Sequence, residues 1–185
     1  MKIGYMGIPN SFSEIAAKKL VEQNNLEDSE LLPMVCAENI KAALLEKQLD
    51  YGILATYNST VGPVSEFVKA FRETRYTLID TYILPIHHCL FKHPDVPISE
   101  LHYVASHPQA LKQTLENRKK YWPQLQEVQI DDTAIGARYL IDGTISSDTA
   151  VICSHLAGEF FNLELLQKNI EDSSKNKTTF ILLKL

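Results

Sequence analysis

Tyr76-Thr-Leu-Ile-Asp-Thr-Tyr-Ile-Leu-Pro-Ile-His-His-Cys-Leu-Phe91 is a long apolar stretch rich in β-branched and aromatic residues, which favour strands. Strand–helix patterns stand on both sides of it, so we interpret it as a strand that crosses from one lobe of the protein to another. Within a strand, His87 and His88 would point to opposite faces and could not chelate one metal ion together.

Short apolar runs alternate with helical patterns on both sides of this stretch. Strands are predicted over residues 2–7, 31–37, 51–56, 101–105, 128–130, 149–153 and 180–185, and helices begin near residues 11, 38, 64, 106, 132 and 155. Ser11 can cap the first helix, with Glu14 as its capping-box partner. Repeated strand–helix units are typical of an α/β fold with parallel sheets and helices on both faces.

Polar turns follow several of the predicted strands, at residues 10–13, 58–62, 106–109 and 131–133. Two parallel sheets with a crossing strand between them predict a cleft at the carboxyl ends of the strands, where ligands of α/β proteins bind. We therefore expect these turns to line a polar ligand site.

Composition excludes several classes of function. The formal net charge of -5 disfavours nucleic-acid binding, and the nearly uncharged apolar runs are far shorter than the roughly 20 residues that cross a bilayer. No secretory leader is visible at Met1, and the three cysteines, each in an apolar run, indicate core thiols in a reducing cytoplasm. The seven glycines form no phosphate-binding loop, so we expect neither a nucleotide cofactor nor a metal.

Serines at two helix starts allow two interpretations. Ser11, Ser13 and Ser106 could hold carboxylates, because free N–H groups and the helix dipole favour anions there. They could also be ordinary caps, and spacing alone favours that interpretation. A lone histidine at a helix start, such as His107, is more often a capping or surface residue than a catalytic base.

Five segments, in order along nearly the whole chain, resemble the prephenate dehydratase family. They are Gly7-Ile-Pro-Asn-Ser-Phe-Ser-Glu14, Asp50-Tyr-Gly-Ile-Leu-Ala-Thr-Tyr-Asn-Ser59, Leu84-Pro-Ile-His-His-Cys-Leu90, Ser106-His-Pro-Gln-Ala-Leu111 and Asn176-Lys-Thr-Thr-Phe180. Any single segment is weak evidence, whereas five in the family's order are strong evidence.

The resemblance implies a fold and a reaction. It implies two Rossmann-like lobes of the periplasmic-binding-protein type, with residues 1–76 and 165–185 in one lobe and 77–164 in the other. It also implies conversion of prephenate to phenylpyruvate by loss of water and carbon dioxide, in phenylalanine biosynthesis, without a cofactor. A homodimer is implied as well, and a regulatory domain is not expected because the chain stops at Leu185.

Site residues follow from the same resemblance. Thr178 matches the family's essential hydroxyl, placed to protonate the departing ring hydroxyl, and Asn58 and Gln109 match amides that orient the substrate. The expected substrate-binding residues are Ser11, Phe12, Ser13, Ser59, Ser106, His107, Thr133 and Phe180.

Departures from the family pattern leave the activity open. Arginine is replaced by Thr179, glutamate by Tyr57 and Thr81, proline by Ala55 and a turn glycine by Asn10. Loss of a cation that faces a buried carboxylate would weaken binding by several kcal/mol. Three readings therefore stand: a dehydratase, a prephenate decarboxylase that does not aromatise the ring, and a non-catalytic module that binds a small anion. The sequence does not separate prephenate from its amino analogue, arogenate.

Overall fold

The computed structural model describes all residues 1–185, and the chain divides into two compact units. The first unit contains Met1–Ile86 and Lys175–Leu185, and the second contains His87–Ser174. The predicted α/β class is confirmed, since each unit is built on one sheet with helices packed against it. No helix combines the length and the apolar character that a bilayer crossing requires.

The first unit carries a six-stranded sheet in the order β2-β1-β3-β11-β5, with the short β4 paired to β3. Numbered along the whole chain, its elements are β1 (Lys2–Tyr5), α1 (Phe12–Gln23), β2 (Glu30–Pro33), α2 (Ala37–Leu45), β3 (Tyr51–Asn58), β4 (Gly62–Pro63), α3 (Ser65–Phe71), β5 (Thr77–Pro85) and β11 (Lys177–Lys184). β1 runs parallel to β2 and β3, whereas β11 runs antiparallel to β3 and β5. The sheet is therefore mixed, and the expectation of a parallel sheet was wrong for β11.

Apolar side chains cover both faces of this sheet. One face packs Phe180 and Leu182 of β11 against Ala16 and Leu20 of α1. The other face packs Ile181 and its neighbours against α2 and α3. The alternation along β11 follows from the two-residue period of a strand, and it assigns each of its side chains to one face.

The second unit carries a five-stranded sheet in the order β10-β6-β9-β7-β8. Its elements are β6 (Cys89–Lys92), a 3-10 turn (Ile98–Glu100), β7 (Tyr103–Ser106), α4 (Pro108–Gln113), α5 (Leu115–Tyr121), β8 (Gln126–Gln129), α6 (Thr133–Ile141), β9 (Thr149–Cys153), α7 (His155–Phe160) and β10 (Glu164–Gln167). β7 is parallel to β8 and β9, and β6 is antiparallel to β9 and β10. The sequence did not predict β10.

The predicted crossing strand is two strands. β5 ends at Pro85 and β6 begins at Cys89, and the two strands belong to different sheets. Residues 77–86 therefore fall in the first unit, because β5 pairs with β11 along its whole length. Residues 165–174 fall in the second unit, because β10 pairs with β6. The unit boundaries after Ile86 and Ser174 thus differ from those drawn at residues 76 and 164.

The prediction that Cys36 lies in a strand was also wrong. β2 ends at Pro33, and Cys36 is the half-buried N-cap of α2. Val35 precedes it with φ of 66°, and the Cys36 N–H donates to the Met34 carbonyl at 2.7 Å. This tight turn separates strand from helix. Cys89 and Cys153 are buried in β6 and β9 as free thiols.

His87 and His88 lie in the break between β5 and β6, not within a strand. The Glu171 carboxylate accepts hydrogen bonds from His87 Nδ1 at 2.7 Å and from the His88 backbone N–H at 2.9 Å. His88 Nε2 lies 2.9 Å from Gln113 Oε1. Burial lowers the pKa of His88, although the bond to Gln113 and the Glu171 charge oppose that shift. His88 is therefore held as a neutral core residue.

The buried His88 should make the stability of the protein depend on pH. The unfolded chain binds a proton at this histidine below about pH 6.5, whereas the folded protein resists protonation. We expect the free energy of unfolding to fall by roughly 1–2 kcal/mol between about pH 7 and pH 5 because of this residue. Urea unfolding should show a smaller loss for His88→Gln across that range. Equal losses in the two proteins would contradict the prediction.

Candidate functional site

One edge of the first sheet collects most of the predicted site residues. β1 and β3 are parallel neighbours, so their carboxyl ends lie at the same edge, and β11 begins there because it runs antiparallel to β3. Ser11 follows β1, Asn58 ends β3, and Thr178 is the second residue of β11. The topology therefore gathers residues that are far apart in sequence.

Asn58 and Thr178 are directly opposite each other in the β3–β11 register. Asn58 Nδ2 donates to Thr178 Oγ1 at 2.9 Å and to Asn176 Oδ1 at 3.0 Å. Asn58 Oδ1 accepts from the backbone N–H groups of Thr60 at 2.9 Å and Val61 at 3.2 Å. Thr178 is 9% exposed, so its side chain lies beneath the surface without being sealed in the core.

Further hydrogen bonds tie the loop after β3 to the segment before β11. The Ser59 hydroxyl donates to the Lys175 carbonyl at 2.9 Å and accepts from the Lys177 N–H at 2.9 Å. The Ser59 N–H donates to the Lys177 carbonyl at 2.8 Å. Ser59 was predicted to bind substrate. Its hydroxyl makes two hydrogen bonds that hold the backbone next to Thr178.

The start of α1 forms a compact hydroxyl pair. Ser11 is the N-cap as predicted, and its Oγ accepts from the Glu14 N–H at 3.4 Å. Glu14 reaches back to the Asn10 N–H at 2.6 Å, one residue before the cap, and Asn10 takes φ of 67° in place of a glycine. Phe12 and Ser13 are the first two helical residues, and both are half-buried.

Gly7 lies directly beneath these two hydroxyls. Its φ is 124°, and a Cβ there would stand 2.9 Å from Ser11 Oγ and 3.2 Å from Ser13 Oγ. The two oxygens therefore converge on one point above the backbone of the turn. Such an arrangement can present two hydroxyls to a single anionic group at the start of a helix.

Phe180 and Thr179 do not accompany Thr178 at the site. Phe180, predicted to bind substrate, is 2% exposed and belongs to the core beside α1. Thr179 points to the opposite face of the sheet from Thr178. There it is directly opposite Tyr57 on β3 and Ile83 on β5. The two positions that lack the family's arginine and glutamate are thus cross-strand neighbours, and both are neutral.

The second unit brings together a separate group at the ends of β7 and β8, which are parallel neighbours. His107 caps α4, and its Nδ1 accepts from the Gln109 N–H at 3.2 Å, so in the neutral ring the proton is on Nε2. Asp132 caps α6 through bonds from Ala134 and Ile135. Gln109 and Thr133 follow these caps, and both are half-buried.

Ser106 has a structural partner inside the second unit. Its side chain is fully buried, and its hydroxyl donates to the Ile152 carbonyl of β9 at 2.7 Å. Substrate binding by Ser106 stays a prediction, and what the structure adds is that its hydroxyl links β7 to β9. Its neighbour His107 is the capping residue.

One group of side chains could approach a cation. The ligand atoms of Cys36, Glu38 and Glu66 lie within 4.8 Å of one another at the start of α2. Glu66 Oε1 already accepts from the Ala37 N–H at 2.9 Å, which gives it a structural role between α2 and α3. Acidic groups at a protein surface commonly meet in this way without an ion.

Solved structures identify the class of fold. Prephenate dehydratase from Arthrobacter aurescens, solved in complex with L-Phe, superposes with a TM-score of 0.87 at 22% sequence identity, over 100% of this chain and 60% of that one. The sequence model of the family described as prephenate dehydratase matches residues 3–185, and the chain belongs to that family. The predicted family is confirmed.

Curated relatives include enzymes named for two substrates. Arogenate dehydratase 1 of Petunia hybrida is 31% identical over 186 residues, which cover 99% of this chain and 42% of that protein. Prephenate dehydratase of Lactococcus lactis strain IL1403 is 28% identical over 184 residues, which cover 99% of this chain and 63% of that protein. The chain thus spans less than two thirds of the length of these relatives.

Alanine at position 7 should be costly for two reasons. The backbone conformation of Gly7 disfavours any side chain, and the added methyl group would push Ser11 and Ser13 apart. We expect Gly7→Ala to lower the free energy of unfolding by about 2–3 kcal/mol.

Gly143→Ala is the matched control, because Gly143 has φ of 76° but nothing within 4 Å of an added Cβ. Its loss should be about 1 kcal/mol. If urea unfolding gave equal losses for Gly7→Ala and Gly143→Ala, contact with the two serine hydroxyls would not contribute to the cost.

Proposed function

We propose that this chain catalyses the decarboxylating dehydration of prephenate to phenylpyruvate, with Thr178 as the group that assists departure of the ring hydroxyl. The observation that supports it is the hydrogen bond from Asn58 to Thr178 at the polar edge of the first sheet. A hydroxyl held in this way is a neutral donor with a defined direction, which is what general-acid assistance to a poor leaving group requires.

The proposed reaction balances without a cofactor. The bond between the ring and its carboxylate breaks, and its electron pair enters the ring and makes it aromatic. The bond from the ring to the hydroxyl breaks at the opposite carbon, and that oxygen leaves as water with the proton that Thr178 offers. Water then reprotonates Thr178, so that one proton from solvent is consumed for each carbon dioxide and water released.

Several groups are suited to binding an anionic substrate. Ser11 and Ser13 present converging hydroxyls above Gly7 at the start of α1, where the helix dipole favours negative charge. In the second unit, Gln109 and Thr133 are half-buried polar residues just after the caps of α4 and α6. We propose Ser11 and Ser13 as substrate-binding residues of the first unit, and the family resemblance is the reason to propose Gln109, Thr133 and His107 of the second unit. We assign no direct contact to Ser106 or Phe180.

Arogenate is the second candidate substrate. It carries an amino group where prephenate carries a ketone, and relatives named arogenate dehydratase include one that is 31% identical to this chain. The chemistry at the ring is the same for both molecules, so Thr178 would serve both. Discrimination would lie with the groups that meet the side chain of the substrate.

Turnover of both molecules by the purified protein tests the proposal. We expect phenylpyruvate from prephenate, or phenylalanine from arogenate, together with carbon dioxide near neutral pH. Carbon dioxide without an aromatic product would indicate the non-aromatising decarboxylase. Ligand-induced thermal stabilisation without any product would indicate a binding module. Either result would overturn the dehydratase proposal.

Replacement of Thr178 provides the specific test. Thr178→Val preserves the shape of the side chain and removes the hydroxyl, so we expect kcat to fall by about 10²–10⁴-fold. Thr178→Ser keeps the hydroxyl and should retain much more activity. Unchanged kcat in Thr178→Val, with a normal urea midpoint, would exclude Thr178 from the mechanism.

Restoring arginine at position 179 should have little effect on substrate binding. Thr179 faces away from Thr178, beside Tyr57 and Ile83, so the new cation would meet an aromatic ring and an aliphatic side chain. We expect Thr179→Arg to change KM by less than about fivefold, which corresponds to a cross-strand effect of up to ~1 kcal/mol. A much larger drop in KM would show that the missing cation had faced the substrate.

A further inference from the structure

The two ends of the Asn58 side-chain amide can be told apart from their partners. Backbone N–H groups only donate, and those of Thr60 and Val61 point at one end of the amide, at 2.9 and 3.2 Å. That end must be the oxygen. The nitrogen end therefore faces Thr178 and Asn176, and both of its hydrogens are donated there.

From this orientation we infer that Asn58 and Asn176 are positioning residues that set the direction of the Thr178 O–H. The inference rests on the proposed function. Thr178 Oγ1 must accept from Asn58, so its own hydrogen points away from the Asn58 amide. All four hydrogen-bonding positions of the Asn58 amide are occupied within the protein. Asn58 therefore acts on the substrate only through Thr178, which differs from the expected role of orienting the substrate itself.

Asn176 completes the arrangement. Its Oδ1 takes the second hydrogen of Asn58 Nδ2 at 3.0 Å and also accepts from the Thr60 hydroxyl at 3.3 Å. Asn176 is 2% exposed, and its carbonyl accepts from the Ile86 N–H at 2.9 Å. With one hydrogen held by Asn176, the amide of Asn58 cannot rotate, and its other hydrogen stays on Thr178. Asn176 was not among the site residues predicted from the sequence, although it begins the fifth segment of the family pattern.

Two isosteric substitutions test whether Asn58 must donate a hydrogen bond to Thr178 or whether any polar side chain at this position is enough. Asn58→Asp keeps the acceptor for Thr60 and Val61 but removes both donors, so the Thr178 O–H should turn inward and donate to the new carboxylate. Asn176→Asp adds the same charge but keeps the acceptor for Asn58. We expect kcat on prephenate to fall at least 100-fold in Asn58→Asp, with KM within about fivefold of wild type, and to fall less than about tenfold in Asn176→Asp. Asn176→Leu, which lacks the acceptor, should lose more than Asn176→Asp.

The pH profile gives a readout that a merely structural role would not move. A protonated carboxyl group introduced by Asn58→Asp can donate to Thr178 again, so kcat relative to wild type should recover as the pH falls, after correction for non-enzymatic decay of prephenate. Similar losses in Asn58→Asp and Asn176→Asp, or a flat relative profile, would overturn the inference.

NMR of the wild-type protein tests the arrangement without turnover. Both side-chain amide hydrogens of Asn58 should exchange more slowly than those of exposed Asn162, and Thr178→Val should shift one of the two much more than the other. Fast exchange of both hydrogens would overturn the inference even if the enzyme were active. Wild-type protein that leaves prephenate and arogenate unchanged would instead refute the proposed function, and the exchange rates would still decide the orientation of the amide.

Discussion

Antiparallel pairing of β11 with both β3 and β5 is the interaction on which the rest of the first unit depends. It places Phe180 and Leu182 in one core and Ile181 in the other, so a single strand anchors both faces of the sheet. The same pairing sets Thr178 opposite Asn58, across a separation of 120 residues. Closing so large a separation costs entropy, which the many contacts of a central strand can offset.

A bulge in β3 decides which side chains share a face. The β3–β11 register shifts between Thr179 and Phe180, so Tyr57 and Asn58 are displaced by one residue relative to the rest of β3. A shift of one residue exchanges the two faces of a strand. As a result Asn58 joins Thr178 on the α1 side, and Tyr57 joins Thr179 on the other side. The neutral residues at 57 and 179 are therefore a matched cross-strand pair, which explains how a cation and an anion can be absent together without leaving a lone charge.

The sequence predicted local features well where one short motif determines them. The Ser11 cap and β9 are found where the spacing indicated, because capping and buried apolar runs are local properties. The turn at Val35 was missed, since a β-branched residue with φ of 66° contradicts its own preference and is held there by bonds from Met34 to Tyr5 and from Val35 to Gly7. The break at residues 86–88 was missed because an apolar run does not reveal that its two halves enter different sheets. At the site, the family pattern named Asn58 and Thr178, but only the register and the donor directions support the inference that Asn58 acts through Thr178.

The first unit is assembled from the two ends of the chain, with the whole second unit inserted between β5 and β11. During synthesis on the ribosome, Asn58 emerges early, and the second unit is complete before β11 appears. Until then β3 and β5 have no strand between them, and the backbone N–H and C=O groups that pair with β11 stay unpaired. The hydroxyl that we propose for the chemistry thus arrives with the strand that closes the sheet, and on that proposal a nascent chain stays inactive until the first unit can fold.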